Sequence, residues 1–273
     1  MAGVPAAAAD AREVVARNLS RHSENRIHDD ATARRLGFGG GGLVPGVEVY
    51  AYACHPAVRR WGRGWLERGW AEMRFLQPVY DGQVARVEAT EAGEDLSLSV
   101  GSEGVLCATG AAGLAVSAAT PVDLDGWAEA PAPPANRPPA SETSLAPGVL
   151  LGIAPWRPTA DELAEYLRGV GETDPLYARE GLAHPGQILR LCNRALVENV
   201  MLGPWIHVGS RVENLSAARI GEEFTLRGRV LSNTERKGHR LVELDALVLA
   251  EGRGPVARIR HTAIWRLRGA GPA

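Results

Sequence analysis

One segment gathers the side chains with the most chemical capacity: HSENRIHDDATARRLGFGGGGLVPG, residues His22 to Gly46. Asn25 and His28 lie three residues apart, Gly37-Phe38 begins nine residues beyond His28, and Pro45-Gly46 opens an apolar run. His28 can hold or deprotonate a water near neutral pH. Asn25 can fix the tautomer of a ring or grip a polar substrate atom. Pro45 suits the start of a helix, where the N–H it lacks would be unpaired anyway, and Gly46 lets a ligand approach the backbone. The free N–H groups and positive dipole end of that helix would face a carbonyl oxygen that gains negative charge. One group for the water and one pole for the oxyanion make a hydration site.

The neighbouring residues read more simply. Asp29 and Asp30 suit the N-cap of the following ATARRL helix. They do not form a metal site with His28, because adjacent carboxylates point apart and no second histidine is near. Gly39 to Gly42 lack the GK[ST] continuation of a phosphate loop and read as a lid or plain loop. An isolated His28 would be a loop histidine bonded to backbone; its setting in the segment argues for function. Trp65 and Trp205 read as core anchors. Arg59, Arg60 and Arg63 fit a solvated helix end as well as a phosphate contact.

The elements that must position these residues occur twice. At an offset of 140 residues Pro45-Gly46 matches Pro185-Gly186, Trp65 matches Trp205 and Gly69 matches Gly209, while Phe75 and Tyr80 face Leu215 and Ile220. A period this long implies a duplicated domain and not a solenoid. Each half is expected to hold an amphipathic helix (10–21, and a second starting at N-cap Thr159 with Glu162 in capping-box position), then a long apolar helix (47–60 and 187–201). Four strands follow in each: 65–76, 83–90, 95–100 and 105–116, then 206–215, 223–231, 240–250 and 256–267. Nine of the 18 prolines fall between Pro121 and Pro158, which marks an extended connector. The expected organisation is residues 1–118, a Pro/Ala-rich linker over 119–144, and residues 145–273. The fold class is α+β: two units, each a long helix wrapped by an antiparallel sheet, side by side as a pseudo-dimer in one chain. Edge strands leave a further homodimer open.

Composition narrows the function. The 273 residues carry a formal charge of -2 and 45% hydrophobic side chains, enough for a core and without the basic footprint of nucleic-acid binding. No eighteen-residue apolar run exists, so no spanning helix is expected. The start, MAGVPAAAADARE, lacks a basic n-region and a leucine-rich core, so a cytoplasmic location is expected. Cys54, Cys107 and Cys192 form no CxxC pair and read as buried hydrophobes.

The run NRIHDDATARRLGF…VPG resembles the signature of the MaoC-like, hydratase 2 branch of hotdog-fold proteins, D-x-N-P-[IV]-H-x-D followed by Ala, Gly-Phe and a Gly. The resemblance covers Ser23 to Gly46 closely and extends in element order over each half. It implies a tandem hotdog and (R)-specific hydration of trans-enoyl thioesters, or the reverse dehydration. The acyl group would ride on CoA or the phosphopantetheine of an acyl carrier protein, with no other cofactor. By that resemblance His28 falls on the catalytic histidine, Asn25 on the asparagine and Gly46 near the oxyanion site, with Pro45 beside it. The family's catalytic aspartate falls on Ser23, which can only exchange hydrogen bonds, and its proline on Arg26. In the second half Glu172, Asp174 and Tyr177 fall on the acid, asparagine and histidine. The first half thus keeps histidine without the acid, and the second keeps an acid without histidine.

The expected catalytic group is His28, Ser23 and Asn25, with Pro45, Gly46, Glu172 and Tyr177 as substrate-binding residues and no metal. The missing aspartate motivates two alternatives. The fold could serve another reaction of an acyl or polyketide substrate, thioester hydrolysis or elimination with cyclisation, with Glu172 or Glu24 as the acid. Or it could bind acyl thioesters without turnover.

Overall fold

A computed structural model describes residues 10–115 and 122–269. The first half comprises β1 (Asp10–Val15), α1 (Asp30–Arg35), α2 (Gly46–Trp61), α3 (Arg63–Arg68), β2 (Gly69–Phe75), β3 (Val84–Ala92), β4 (Asp95–Ser102) and β5 (Val105–Leu114). The second comprises β6 (Leu150–Leu151), α4 (Ala160–Gly169), α5 (Leu176–Glu180), α6 (Pro185–Asn199), β7 (Ile206–Asn214), β8 (Phe224–Arg236), β9 (His239–Ala250) and β10 (Gly254–Arg266).

All ten strands join one sheet in the order β1-β3-β4-β5-β2-β7-β10-β9-β8-β6. Its two sides mirror each other about the β2–β7 seam. That seam pairs Trp70 with Glu213 and Met73 with Ser210; exchanging the halves at the 140-residue offset turns one pair into the other. The duplication is therefore isologous, as in a two-fold dimer. Helix α2 packs on β2 to β5 and crosses to β7, α6 packs on β6, β8, β9 and β10, and the two helices touch. Both are buried around most of their surface because they lie between sheet and partner helix.

Two expectations are corrected. Residues 10–21 do not form a helix: Asp10–Val15 is a strand paired antiparallel with β3. No side chain caps a helix there, Val14 and Val15 are β-branched, and the period is two, with Arg12 and Val14 turned inward. The supposed counterpart is a true helix, α4, held by the expected Thr159–Glu162 capping box. The strand expected from Trp65 begins only at Gly69; Trp65 sits fully buried in α3. The expected boundary at 118/119 and the end of the strand at 116 lie outside the described residues. From residue 122 to 149 the chain has one 3-10 turn, Leu124–Gly126. It is pinned by Arg227 to the Trp127 carbonyl and by mutual backbone bonds of Pro138 and Ala140 with Met201.

The helix crossing depends on a glycine. A Cβ on Gly186 would lie 2.8 Å from the Ala51 Cβ and 3.2 Å from the Val47 carbonyl, and would overlap the Tyr166 hydroxyl. Gly186→Ala should therefore cost about 2 kcal/mol through forced separation of α2 and α6. A lower urea midpoint at unchanged m-value would show this; an unchanged midpoint would mean that the crossing tolerates a methyl group.

Candidate active site

His28 ends a single 3-10 turn, Arg26–His28, whose N-cap is Asn25. The turn aims both side chains inward, and both are buried. The Asn25 amide is fixed at both ends. Its Oδ1 accepts from the N–H groups of Trp205 (3.2 Å) and Ile27 (3.3 Å), and its Nδ2 donates to the Trp205 carbonyl at 2.9 Å. That orientation leaves Nδ2 3.3 Å from His28 Nε2. On the other side of the ring His28 Nδ1 lies 2.7 Å from the Leu43 carbonyl. A carbonyl only accepts, so Nδ1 carries the hydrogen and Nε2 the lone pair, which receives the Asn25 N–H at the long distance of 3.3 Å. Burial lowers the pKa of this ring to about 4, with the charge on Arg190 adding and the Leu43 carbonyl opposing. At neutral pH it is a neutral base.

The start of α2 faces the same place. Its N-cap, Pro45, offers no side-chain hydrogen bond, so only the N–H groups of Glu48 and Val49 are taken, by the Pro45 carbonyl. The N–H groups of the first two positions, Gly46 and Val47, remain as donors at the positive end of the dipole. Between this terminus and the Asn25–His28 pair is a small, part-open cavity of about 20 Å³, also lined by Asn193, Trp205 and His207. That volume suits one water. Three buried polar atoms of the residues that line it have no protein partner: His207 Nδ1, Asn193 Oδ1 and Trp205 Nε1. Such atoms are rare in a folded interior, and a water bonded to several of them is the usual reason for them.

The other expected site residues divide between this cavity and other parts of the molecule. Pro45 and Gly46 line the cavity, but the room beside Gly46 is taken: a Cβ there would be 2.8 Å from His207 Nδ1 and 3.2 Å from Phe75. Ser23 is exposed, its N–H bonded to the Ser20 carbonyl, and it borders a surface depression with His22, Asp81 and Arg190. The structure does not join it to His28. Glu24 is exposed and paired with Arg137.

Glu172 and Tyr177 form a separate, sealed cluster. Glu172 Oε1 accepts from His55 Nδ1 and from the N–H groups of Thr173 and Asp174, each at 2.7 Å. Arg12 of β1 stands 3.8 Å away. Burial opposes the Glu172 charge, but His184 at 3.6 Å and bonds from His55 and the Asp174 N–H outweigh it and hold the carboxyl below its ordinary range. Tyr177 is fully buried against the His184 ring. Here the start of α6 is closed. His184 Nδ1 accepts from the Gly186 N–H at 3.1 Å, and the Tyr166 hydroxyl occupies the space over Gly186.

Sequence reasoning missed His207, Asn193 and Phe75. Phe75 packs edge-on to His207 at 4.7 Å between ring centroids. One signal was present: His261, on β10, alternates with buried Ile259 and Ala263, so a histidine sits on an apolar strand face. Its ring stacks on His207 at 4.2 Å. Asn193 carried no signal, since its part in the site depends on how α6 crosses α2.

No family model matches the sequence, and no curated protein matches it. Solved structures do. A conserved hypothetical protein from Mycobacterium tuberculosis, described as having a double hotdog fold, is 16% identical, with 93% of this chain and 95% of that one covered and a TM-score of 0.61. A putative MaoC domain protein dehydratase from Chloroflexus aurantiacus is 10% identical over 96% and 94% of the chains, also at 0.61. A putative oleoyl thioesterase from Lactobacillus plantarum is 11% identical over 94% and 96%, at 0.50. The fold is an α+β double hotdog.

The depressed basicity of His28 has a consequence for stability. The unfolded chain takes up this proton near pH 6.5 and the folded chain only near pH 4, so the ring favours the folded state above pH 6.5 and that contribution is lost as pH falls toward 4. His28→Gln should remove about 2–3 kcal/mol of the decline in unfolding free energy between pH 7 and pH 4.5. Urea titrations of both proteins across that range check this. Comparing the two separates His28 from Glu48, which burial pushes up to about 7 and which titrates in the opposite sense. Parallel curves would place His28 in contact with solvent.

Proposed function

We propose that the chain is a hydro-lyase acting on an enoyl thioester or, in reverse, a 3-hydroxyacyl thioester, with its one working site in the first half. The observation that carries this reading is the one-water cavity between a neutral imidazole and the uncapped start of α2. In hydration, water oxygen bonds to the β-carbon of the enoyl group while His28 Nε2 takes a water proton. The double-bond electrons move onto the thioester oxygen, where the Gly46 N–H meets the developing charge. His28 then returns its proton to the α-carbon, so one base serves both transfers.

A thioester is larger than the cavity and needs a route in. A groove of about 560 Å³ crosses the outer face of the sheet over β2, β7, β9 and β10. The groove carries Arg74, Arg236 and Lys237, which have no ion pair among the described residues. Such cations suit the phosphates of CoA or of a phosphopantetheine carrier. Thioester hydrolysis is the second reading. No carboxylate lines the cavity, and the same water aimed at the carbonyl carbon would release thiol.

Short, medium and branched trans-2-enoyl-CoA substrates separate the readings. The expected outcome is loss of enoyl absorbance with a product heavier by one water and no free thiol, reduced at least about 100-fold in His28→Ala. Release of free thiol would establish the hydrolase. Intact substrate throughout would exclude both.

A further inference from the structure

His207 lies outside the Ser23–Gly46 segment and belongs to the other half, yet it lines the His28 cavity. Its ring is held on several sides. The Phe75 edge and the His261 face fix its plane, with centroids at 4.7 and 4.2 Å. Its Nε2 lies 3.2 Å from the Gly209 carbonyl and 2.8 Å from Ser210 Oγ. The carbonyl can only accept, so Nε2 carries the hydrogen and Nδ1 the lone pair. Ser210 Oγ, 3.0 Å from His261 Nδ1, completes the chain by donating onward. Nδ1 is left buried, without a protein partner, against the first residue of α2.

The cavity therefore joins two imidazole lone pairs, one from each half: Nδ1 of His207, which has no partner, and Nε2 of His28, which the Asn25 N–H reaches only at 3.3 Å and which a water takes over by displacing that long contact. Water has two hydrogens to give. A water that donates one to each ring is held in orientation, and its own lone pair points away from both bases, toward the remaining space. A single acceptor would leave that water free to spin.

We propose that His207 is a catalytic residue of this site, its Nδ1 accepting the second O–H of the water that His28 deprotonates. The inference rests on the hydro-lyase reading. His207 takes no proton in the balance: the oxygen joins the β-carbon, one hydrogen passes through His28 to the α-carbon, and the other stays on the new hydroxyl. By microscopic reversibility the same bond steadies the departing hydroxyl in dehydration.

Three variants test this on whichever enoyl thioester the wild type hydrates. Asn places an amide oxygen near the position of Nδ1, Gln reaches instead toward Nε2, and Leu supplies neither. His207→Leu should lower kcat about 100-fold with little change in affinity for the saturated acyl-CoA, read by calorimetry. His207→Asn should recover at least about tenfold of that loss, and His207→Gln should not. Should the Leu variant fail to fold, as judged by circular dichroism, the Asn-to-Gln ratio of kcat decides alone. Asn and Gln falling equally, or Leu keeping kcat within about threefold of wild type, would overturn the role. An inert wild type is a different failure: it removes the hydro-lyase reading, and this role with it.

Discussion

The side-chain amide of Asn25 bonds both the N–H and the carbonyl of Trp205, across the two halves of the molecule and out of contact with water. Everything at the site follows from that clamp. It fixes the amide's orientation and turns one N–H toward His28 Nε2. It also ties the Arg26–His28 turn to the residue that leads into β7, and so brings His207, two positions further on, to the same cavity. Without the amide, three backbone groups, the N–H and carbonyl of Trp205 and the N–H of Ile27, would lie buried and unpaired, each at a cost of about 1–3 kcal/mol. The clamp is therefore as much a part of folding as of chemistry.

The duplicated halves use one plan to opposite ends. Both place a glycine at the start of a central helix, and both press a side chain against it: His207 and Phe75 on Gly46, Tyr166 on Gly186. In the second half His184 caps the helix and Glu172 gathers His55, Arg12 and two backbone N–H groups. Those bonds leave the dipole end and the carboxylate committed to structure. In the first half no side chain caps the helix, and the cavity lining retains unpaired polar atoms. A sealed terminus gives rigidity; an open one can meet charge that develops on a substrate.

Much of this could be read in the residues alone. The repeat of Pro-Gly, Trp and Gly at one offset locates both central helices, because those residue types answer strict backbone and packing demands. Alternation in RLVELDALVLA and ARIRHTAIWRL locates β9 and β10, since each strand has one apolar face. Local patterning misleads at residues 10–21, where spaced apolar positions fit a helix but the free edge of β3 draws the chain into a strand. The site was half legible. His28 and Asn25 stand in one short segment, so the turn that joins them is a local matter. His207 and Asn193 reach the cavity only through the crossing of α2 and α6 and the β2–β7 seam, contacts some 150 residues apart in sequence that no spacing records. Ser23 was assigned to the site by its place in a motif; the chain turns it toward solvent.

The chemistry of the site turns on the protonation state of one ring, that of His28. Nitrogen-15 NMR of histidine-labelled protein, with His28 assigned by comparison with His28→Gln, reads that state directly. The structure requires a neutral ring protonated at Nδ1, with Nε2 bare, at pH 7 and still at pH 5.5. A hydrogen on Nε2, or an imidazolium already formed by pH 6, would mean that the ring is not the base described and that the cavity does not hold a water for attack.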